Sequence, residues 1–254
     1  GDDELKEIDK WFLSKIHSTI KEVTDAMELT LYRTAIMKGF FDLQRYLRWY
    51  LRRRAGGFNS NIMREAIEVQ TKLLAPFAPH ICEEIWAMLQ KPLMISIDKW
   101  PVVDESKINP ILDLQEDMIA NTMADIQNVL ALAKIKPTKI TLFVCEDWKH
   151  KLLLEVKERL KKTRNIGEII GELMTTPLRE HAQEVSQIVQ RIVKDPSKIL
   201  ITTGHQEAEL KLFEDAKEFF AKEFGCVIEV IAAQESTEPK ARQAMPGKPA
   251  ILVS

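Results

Sequence analysis

Cysteine is scarce in this 254-residue chain: Cys82, Cys145 and Cys226 are odd in number and far apart. With no CxxC and no Cys/His ligand pair along the sequence, neither a disulfide framework nor a zinc site is expected, and a reducing compartment fits. No apolar run reaches membrane-spanning length and no signal peptide is evident, so the reading is cytoplasmic, with no membrane partner. A large net charge is also missing, since 36 Lys and Arg face 38 Asp and Glu for a formal −2. The whole chain is therefore not a polycation, although charge can still be sorted locally. Residues 1–133 hold 16 basic and 20 acidic side chains, and residues 134–254 hold 20 and 18. Internal repeats and low-complexity tracts are absent. The start at Gly1, with its acidic GDDELKEID lead, reads as an excised piece of something longer.

What is present divides into two halves, as the length favours. The first, 1–133, carries helical periodicity in long segments. One runs from about Leu5 to Glu28, with Ile8, Trp11, Phe12, Ile16, Ile20 and Val23 at spacings of three and four. A second, Thr30 to Arg54, has Leu31, Ala35, Phe40, Phe41, Leu43, Leu47 and Leu51 as its apolar set and stops at Gly56-Gly57. Asn59 and Ser60 can cap a third. That helix meets LLAPFAPHICEEIW (73–86), whose Pro76 and Pro79 predict a break followed by a short helix starting at Pro79. Residues 91–110 form a connector containing a brief extended piece, MISIDKW. A fourth helix is expected from about Ile111 to Ala133.

The second half, 134–254, alternates strands and helices, which predicts a small α/β domain with a mixed sheet. The strands are KITLFVC (139–145), KILITT (198–203), CVIEVIAA (226–233) and AILV (250–253). Helices fall at 148–160, 166–174, 180–193 and 206–224, the last ending at Gly225. Gln234 to Pro249 reads as a polar, flexible loop. The fold class is thus multidomain, a helical bundle plus a small α/β domain.

Three basic clusters stand out. Arg45, Arg48 and Arg52 share one helix face at i, i+3 and i+7, followed by Arg53 and Arg54 and interleaved with Tyr46, Trp49 and Tyr50. Guanidinium groups so placed suit phosphate oxygens bidentately, whatever the base. The alternative is a solvated helix end with aromatics in the core. A second cluster, Lys157, Arg159, Lys161, Lys162 and Arg164, has Glu155 and Glu158 beside it to neutralise several charges. The third is Lys240, Arg242 and Lys248, in the polar loop. No metal site is assigned: His80 and Cys82 read as helix-start packing, and Cys145 and Cys226 as inert strand thiols. Thr203-Gly204-His205 reads as a plain turn, with anion cradling at a helix start as the lesser alternative.

LLAPFAPHICEEIW resembles the end of the anticodon-binding bundle of class I aminoacyl-tRNA synthetases, in the valyl/isoleucyl/leucyl subgroup. Asp9-Lys10-Trp11-Phe12-Leu13, Trp49-Tyr50 and SIDKWP (96–101) match further landmarks of that bundle in order. Met118 to Lys149 and the ending KARQAMPGKPAILV are similar to the C-terminal portion of archaeal-type leucyl-tRNA synthetases. The resemblance implies a tRNA-binding portion of a ligase that attaches leucine to tRNA(Leu). Its partners would be that tRNA and the catalytic and editing domains of the same full-length chain. The HIGH and KMSKS motifs that handle ATP are absent, so this stretch alone implies no cofactor. ATP and Mg²⁺ would belong to the parent enzyme. The implied RNA contacts are Arg45, Arg48, Arg52, Arg53, Lys161, Lys162, Arg164, Lys240, Arg242 and Lys248, with the C-terminal domain reading a long variable arm. The competing reading is a helical protein-interaction scaffold with a structural α/β domain. A weaker one is a small-molecule regulator using the turn at Gly204.

Overall fold

A computed structural model describes residues 5–195 and 204–254, which form two compact units that divide between residues 116 and 117. The strand expected at 198–203 lies outside the described residues.

The first unit is a helical bundle. Helix α1 (Glu7–Glu28) buries Ile8, Trp11, Phe12, Ile16, Ile20 and Val23, the face its periodicity marked. The second predicted helix is three consecutive pieces: α2 (Tyr32–Ile36), a π-helical turn (Met37–Asp42) and α3 (Leu43–Arg53). Phe40 and Phe41 lie within the π turn and are exposed, while Gly39 is buried. A Cβ at Gly39 would meet a Val23 methyl at 3.4 Å, so glycine permits the close approach of α1.

Asn59 caps α4 (Ser60–Leu74), its Oδ1 accepting from the N–H groups of Asn61 and Ile62. The chain then breaks at Pro76 and restarts as α5 (Pro79–Met88) with Pro79 at the helix start, as the two prolines dictate. Cys82 and Trp86 of α5 pack on Ile95 in a small satellite core. Ile95–Ile97 is a 3₁₀ turn where an extended piece was expected. The Glu83 carboxylate accepts the N–H groups of Ile95 and Ser96, which curls the backbone there. Helix α6 (Pro110–Ala133) begins in this unit, where Leu112 joins the bundle core, and continues into the second.

In the second unit β1 (Lys139–Val144) is the central strand of a mixed sheet ordered β2-β1-β3. It pairs parallel with β2 (Val227–Ala232) and antiparallel with β3 (Ala250–Val253). Helices α7 (Asp147–Leu160), α8 (Ile166–Leu173) and α9 (Ala182–Lys194) form one apolar cluster around Leu152, Val156, Ile169, Val185 and Val189. The helix expected over 206–224 is divided at Ala216 into α10 (Gln206–Asp215) and α11 (Lys217–Phe224). Gly225 ends α11 in the left-handed region at φ +63°, the conformation a helix-terminal glycine supplies.

Candidate nucleic-acid interface

Helix α3 sorts its four arginines, and Arg54 just past its end, by position around the axis. Arg45, Arg48 and Arg52 lie exposed along one face. Arg45 touches the Tyr46 ring at 5.3 Å and pairs with Asp42 at 3.0 Å, yet its side chain keeps 63% of its exposure. A surface pair of this kind is worth little, so a phosphate can displace it. Arg53 lies elsewhere: its guanidinium grips both oxygens of Glu116, Nε at 2.9 Å and Nη2 at 3.0 Å, with 8% exposure. Glu116 also accepts the Trp49 indole N–H at 2.9 Å. Arg53 is therefore withdrawn from the surface on which the sequence placed it, because one step along a helix turns a side chain by about 100°.

Arg54 is likewise internal, its Nε 3.2 Å from the fully buried Asp9. Asp9 anchors three elements at once. It accepts the Lys6 N–H at the start of α1 and the Tyr50 hydroxyl proton at 2.7 Å. That hydroxyl in turn accepts the Asn59 N–H at 2.9 Å, which ties α3 to the cap of α4. Nothing along the chain marks the buried carboxylates that Arg53 and Arg54 meet, since both partners are distant in sequence.

The second cluster is partly neutralised, as its neighbours foretold. Arg159 pairs with Glu155 and, at 2.9 Å, with Glu172; Lys161 pairs with Glu158 at 2.7 Å. Lys157, Lys162 and Arg164 are exposed.

The C-terminal segment departs most from expectation. In place of a flexible loop, residues 233–249 are built from short 3₁₀ turns, Ala233–Glu235 and Pro239–Gln243, and a bridge between Met245 and Lys248. Ala241 and Ala244 are buried in one cluster with Phe143, Cys145 and Ala250. Small residues let this backbone lie against the sheet while Lys240, Arg242 and Lys248 point to solvent. Lys248 also reaches Asp125 of α6 at 3.4 Å. Beside the segment a groove of about 860 Å³ has Arg191, Arg242 and Lys248 among its lining, over Leu153, Ile188 and Ile192. Arg191 was not singled out in the sequence; its place in the last turn of the amphipathic α9 was the available signal.

Cys226 is half-buried and precedes β2 rather than sitting in it. Cys145, at the end of β1, lies 3.3 Å from His150 Nε2, a Cys/His contact that the sequence reading missed. With Glu209 these are the residues that bring metal-ligand atoms within 4.8 Å of one another among the described residues. All three are buried, and one Glu209 oxygen accepts the Gly247 N–H at 2.7 Å. Burial pushes the Cys145 thiol far up and holds His150 neutral, with its pKa down to about 4. The arrangement is a neutral thiol–imidazole contact beside a hydrogen-bonded carboxylate. His205 caps α10, its Nδ1 accepting the Ala208 N–H, so its turn has a structural role; Thr203 lies outside the described residues.

A family model described as the anticodon-binding domain of tRNA ligase matches residues 9–142. The chain belongs to that family. In this anticodon-binding bundle the sequence landmarks have physical roles: Asp9 is the buried anion, Tyr50 the relay to Asn59, and Trp49 the donor to Glu116. Trp100 of SIDKWP donates its indole N–H to Thr24 at 2.9 Å, fastening the connector to α1. Curated relatives extend the likeness beyond the bundle. The leucine–tRNA ligase of Pyrococcus horikoshii is 36% identical over 258 residues, covering 100% of this chain and 26% of the relative. Those of Methanococcus maripaludis (strain C7) and Methanocaldococcus jannaschii are 39% and 36% identical, covering 98% and 99% of the chain and 25% of each relative. The chain thus spans about a quarter of the length of the relatives it matches. No described helix is long and apolar enough to cross a membrane.

Proposed function

We propose that this chain is the tRNA-binding, C-terminal part of a leucine–tRNA ligase. Its work is positional. The Arg45–Arg48–Arg52 face of α3 grips the sugar–phosphate backbone of tRNA, and the basic C-terminal segment with its groove takes the long variable arm of tRNA(Leu). Catalytic and editing domains elsewhere in the longer protein then receive the acceptor end. ATP and Mg²⁺ are handled there, since the HIGH and KMSKS motifs do not occur in these 254 residues. The reading implies a cytoplasmic protein.

The observation that carries the proposal is the sorting on α3. Arg53 and Arg54 are bound to buried carboxylates, while the three residues at i, i+3 and i+7 are exposed. Such a row contacts phosphates without reading bases. The groove supports the second half of the reading: its lining sets Lys149, Arg191, Arg242 and Lys248 against Glu184 beside aliphatic Leu153, Ile188 and Ile192, a mixture that suits an unstacked nucleotide, the form in which RNA sequence is usually read.

The test is a salt titration of tRNA binding. Neutralising ~5–8 phosphates makes log affinity fall with log salt at a slope of roughly −4 to −7. A scaffold for protein partners shows no such RNA affinity, and that result would refute the proposal. Leucylation by the 254-residue chain is expected to be nil.

A further inference from the structure

The segment that carries Lys240, Arg242 and Lys248 has no long helix or strand of its own, yet its backbone is held in place by two buried ionisable side chains from distant elements. Lys149, in the first turn of α7, is 4% exposed. Its ammonium donates to the Arg242 carbonyl at 2.7 Å and to the Ala244 carbonyl at 3.0 Å. Glu209, on α10, is 1% exposed, and its Oε1 accepts the Gly247 N–H at 2.7 Å. Its other oxygen faces His150 Nε2 at 3.9 Å. Between these anchor points Met245 and Lys248 exchange two backbone hydrogen bonds, at 3.0 and 2.9 Å, around Gly247 at φ +74°.

Burying an ammonium or a carboxylate is expensive unless its hydrogen bonds are made. Here three of those bonds go to backbone groups next to Arg242 and Lys248, the two cations on the groove rim. Apolar side chains at 149 and 209 would fill the same space without dictating where those carbonyls and that amide lie. We propose that Lys149 and Glu209 are positioning residues that pre-shape the 240–248 segment for RNA, presenting Arg242 and Lys248 at a fixed spacing. Ordering the segment before binding removes an entropic cost from the complex. This inference rests on the tRNA reading above, since it names what the shaped segment is for.

Two measurements test it in the 254-residue chain. Without RNA, the Gly247 and Lys248 amides of Lys149→Met and Glu209→Met exchange about tenfold faster or more than in the native chain, while the amides of β1 keep their protection. Glu209→Gln, whose carbonyl can accept the same bond, keeps the native rate. With a long-arm tRNA, Lys149→Met weakens binding about tenfold, and adding Arg242→Ala and Lys248→Ala to it removes little more, because all act through one surface. Should Lys149→Met not fold, the Glu209→Met and Glu209→Gln pair decides alone. Unchanged exchange at 247 and 248, faster exchange spread through β1, or full additivity in binding would overturn the proposal. Absence of tRNA affinity in the native chain would sink the functional reading instead, and the exchange arm would still report whether the two side chains shape the segment.

Discussion

Helix α3 and the 239–249 segment both offer cations to solvent, but the backbone beneath them is held by different means. In α3 the helix itself fixes the geometry, and position around the axis decides which arginine faces water and which enters the core. In the C-terminal segment no such repeat exists, so small residues, a tight turn at Gly247 and two remote charged side chains supply the order. The first arrangement tolerates substitution of any exposed arginine. The second depends as well on side chains buried beneath the segment, Lys149 and Glu209.

The comparison can be broken most forcefully at the internal arginines. Glu116→Ala leaves Arg53 buried without its carboxylate and the Trp49 N–H without its acceptor. A loss of about 3–5 kcal/mol in urea-unfolding stability is expected. Replacing both partners, as Arg53→Met with Glu116→Met, should recover most of it. If Glu116→Ala cost under ~1 kcal/mol, Arg53 would be a surface residue after all.

His150 sharpens the contrast through pH. Its pKa is depressed in the folded state to about 4, so between roughly pH 6.5 and 4 the unfolded chain binds a proton that the folded one refuses. Stability therefore falls as pH falls through that window and levels off below it, by about 3 kcal/mol for this group. The Glu65 carboxylate, lowered by hydrogen bonding to His17, adds a loss of the same sign in the bundle, below the usual carboxylate pKa. His150→Asn should flatten the upper window when stability is followed by exchange of the β1 amides. An unchanged slope would place the titrating group elsewhere.

A smaller effect separates the two surfaces by RNA class. Arg48→Glu should weaken long-arm and short-arm tRNAs alike by about tenfold and make the salt slope shallower by roughly one to two phosphates, with stability changed by less than ~0.5 kcal/mol. Smallest of all, Lys240→Ala should cost about threefold and only for long-arm tRNA. Equal losses for both RNA classes would remove the division of labour. Point substitutions are needed here, because cutting the chain at Lys240 would also remove β3 and with it one edge of the sheet.

Periodicity told most of the bundle, because burial on a helix repeats every 3.6 residues, and runs of β-branched residues located the three described strands. Asn59, Pro79 and Gly225 announced the element ends they occupy, since their roles depend on local backbone alone. Two features were not legible, and each arises from long-range contact. Arg53 was read as a phosphate ligand because Glu116 lies in another helix. The basic segment was read as flexible because polar residues and glycine look the same whether or not a distant lysine holds their carbonyls. The Cys145–His150 contact was within reach, five residues apart across a strand-to-helix junction, but only the fold shows that both ends turn inward.

The central place of β1 has a kinetic consequence. Ile140 aligns with Ile228 on one side and Val253 on the other, so neither ladder can close until most of the second unit's chain has been gathered in. The bundle assembles from neighbouring helices. By the dependence of rate on loop closure, the sheet should be the slow step of refolding, and the basic turns of 239–249 that lean on it should acquire their shape last.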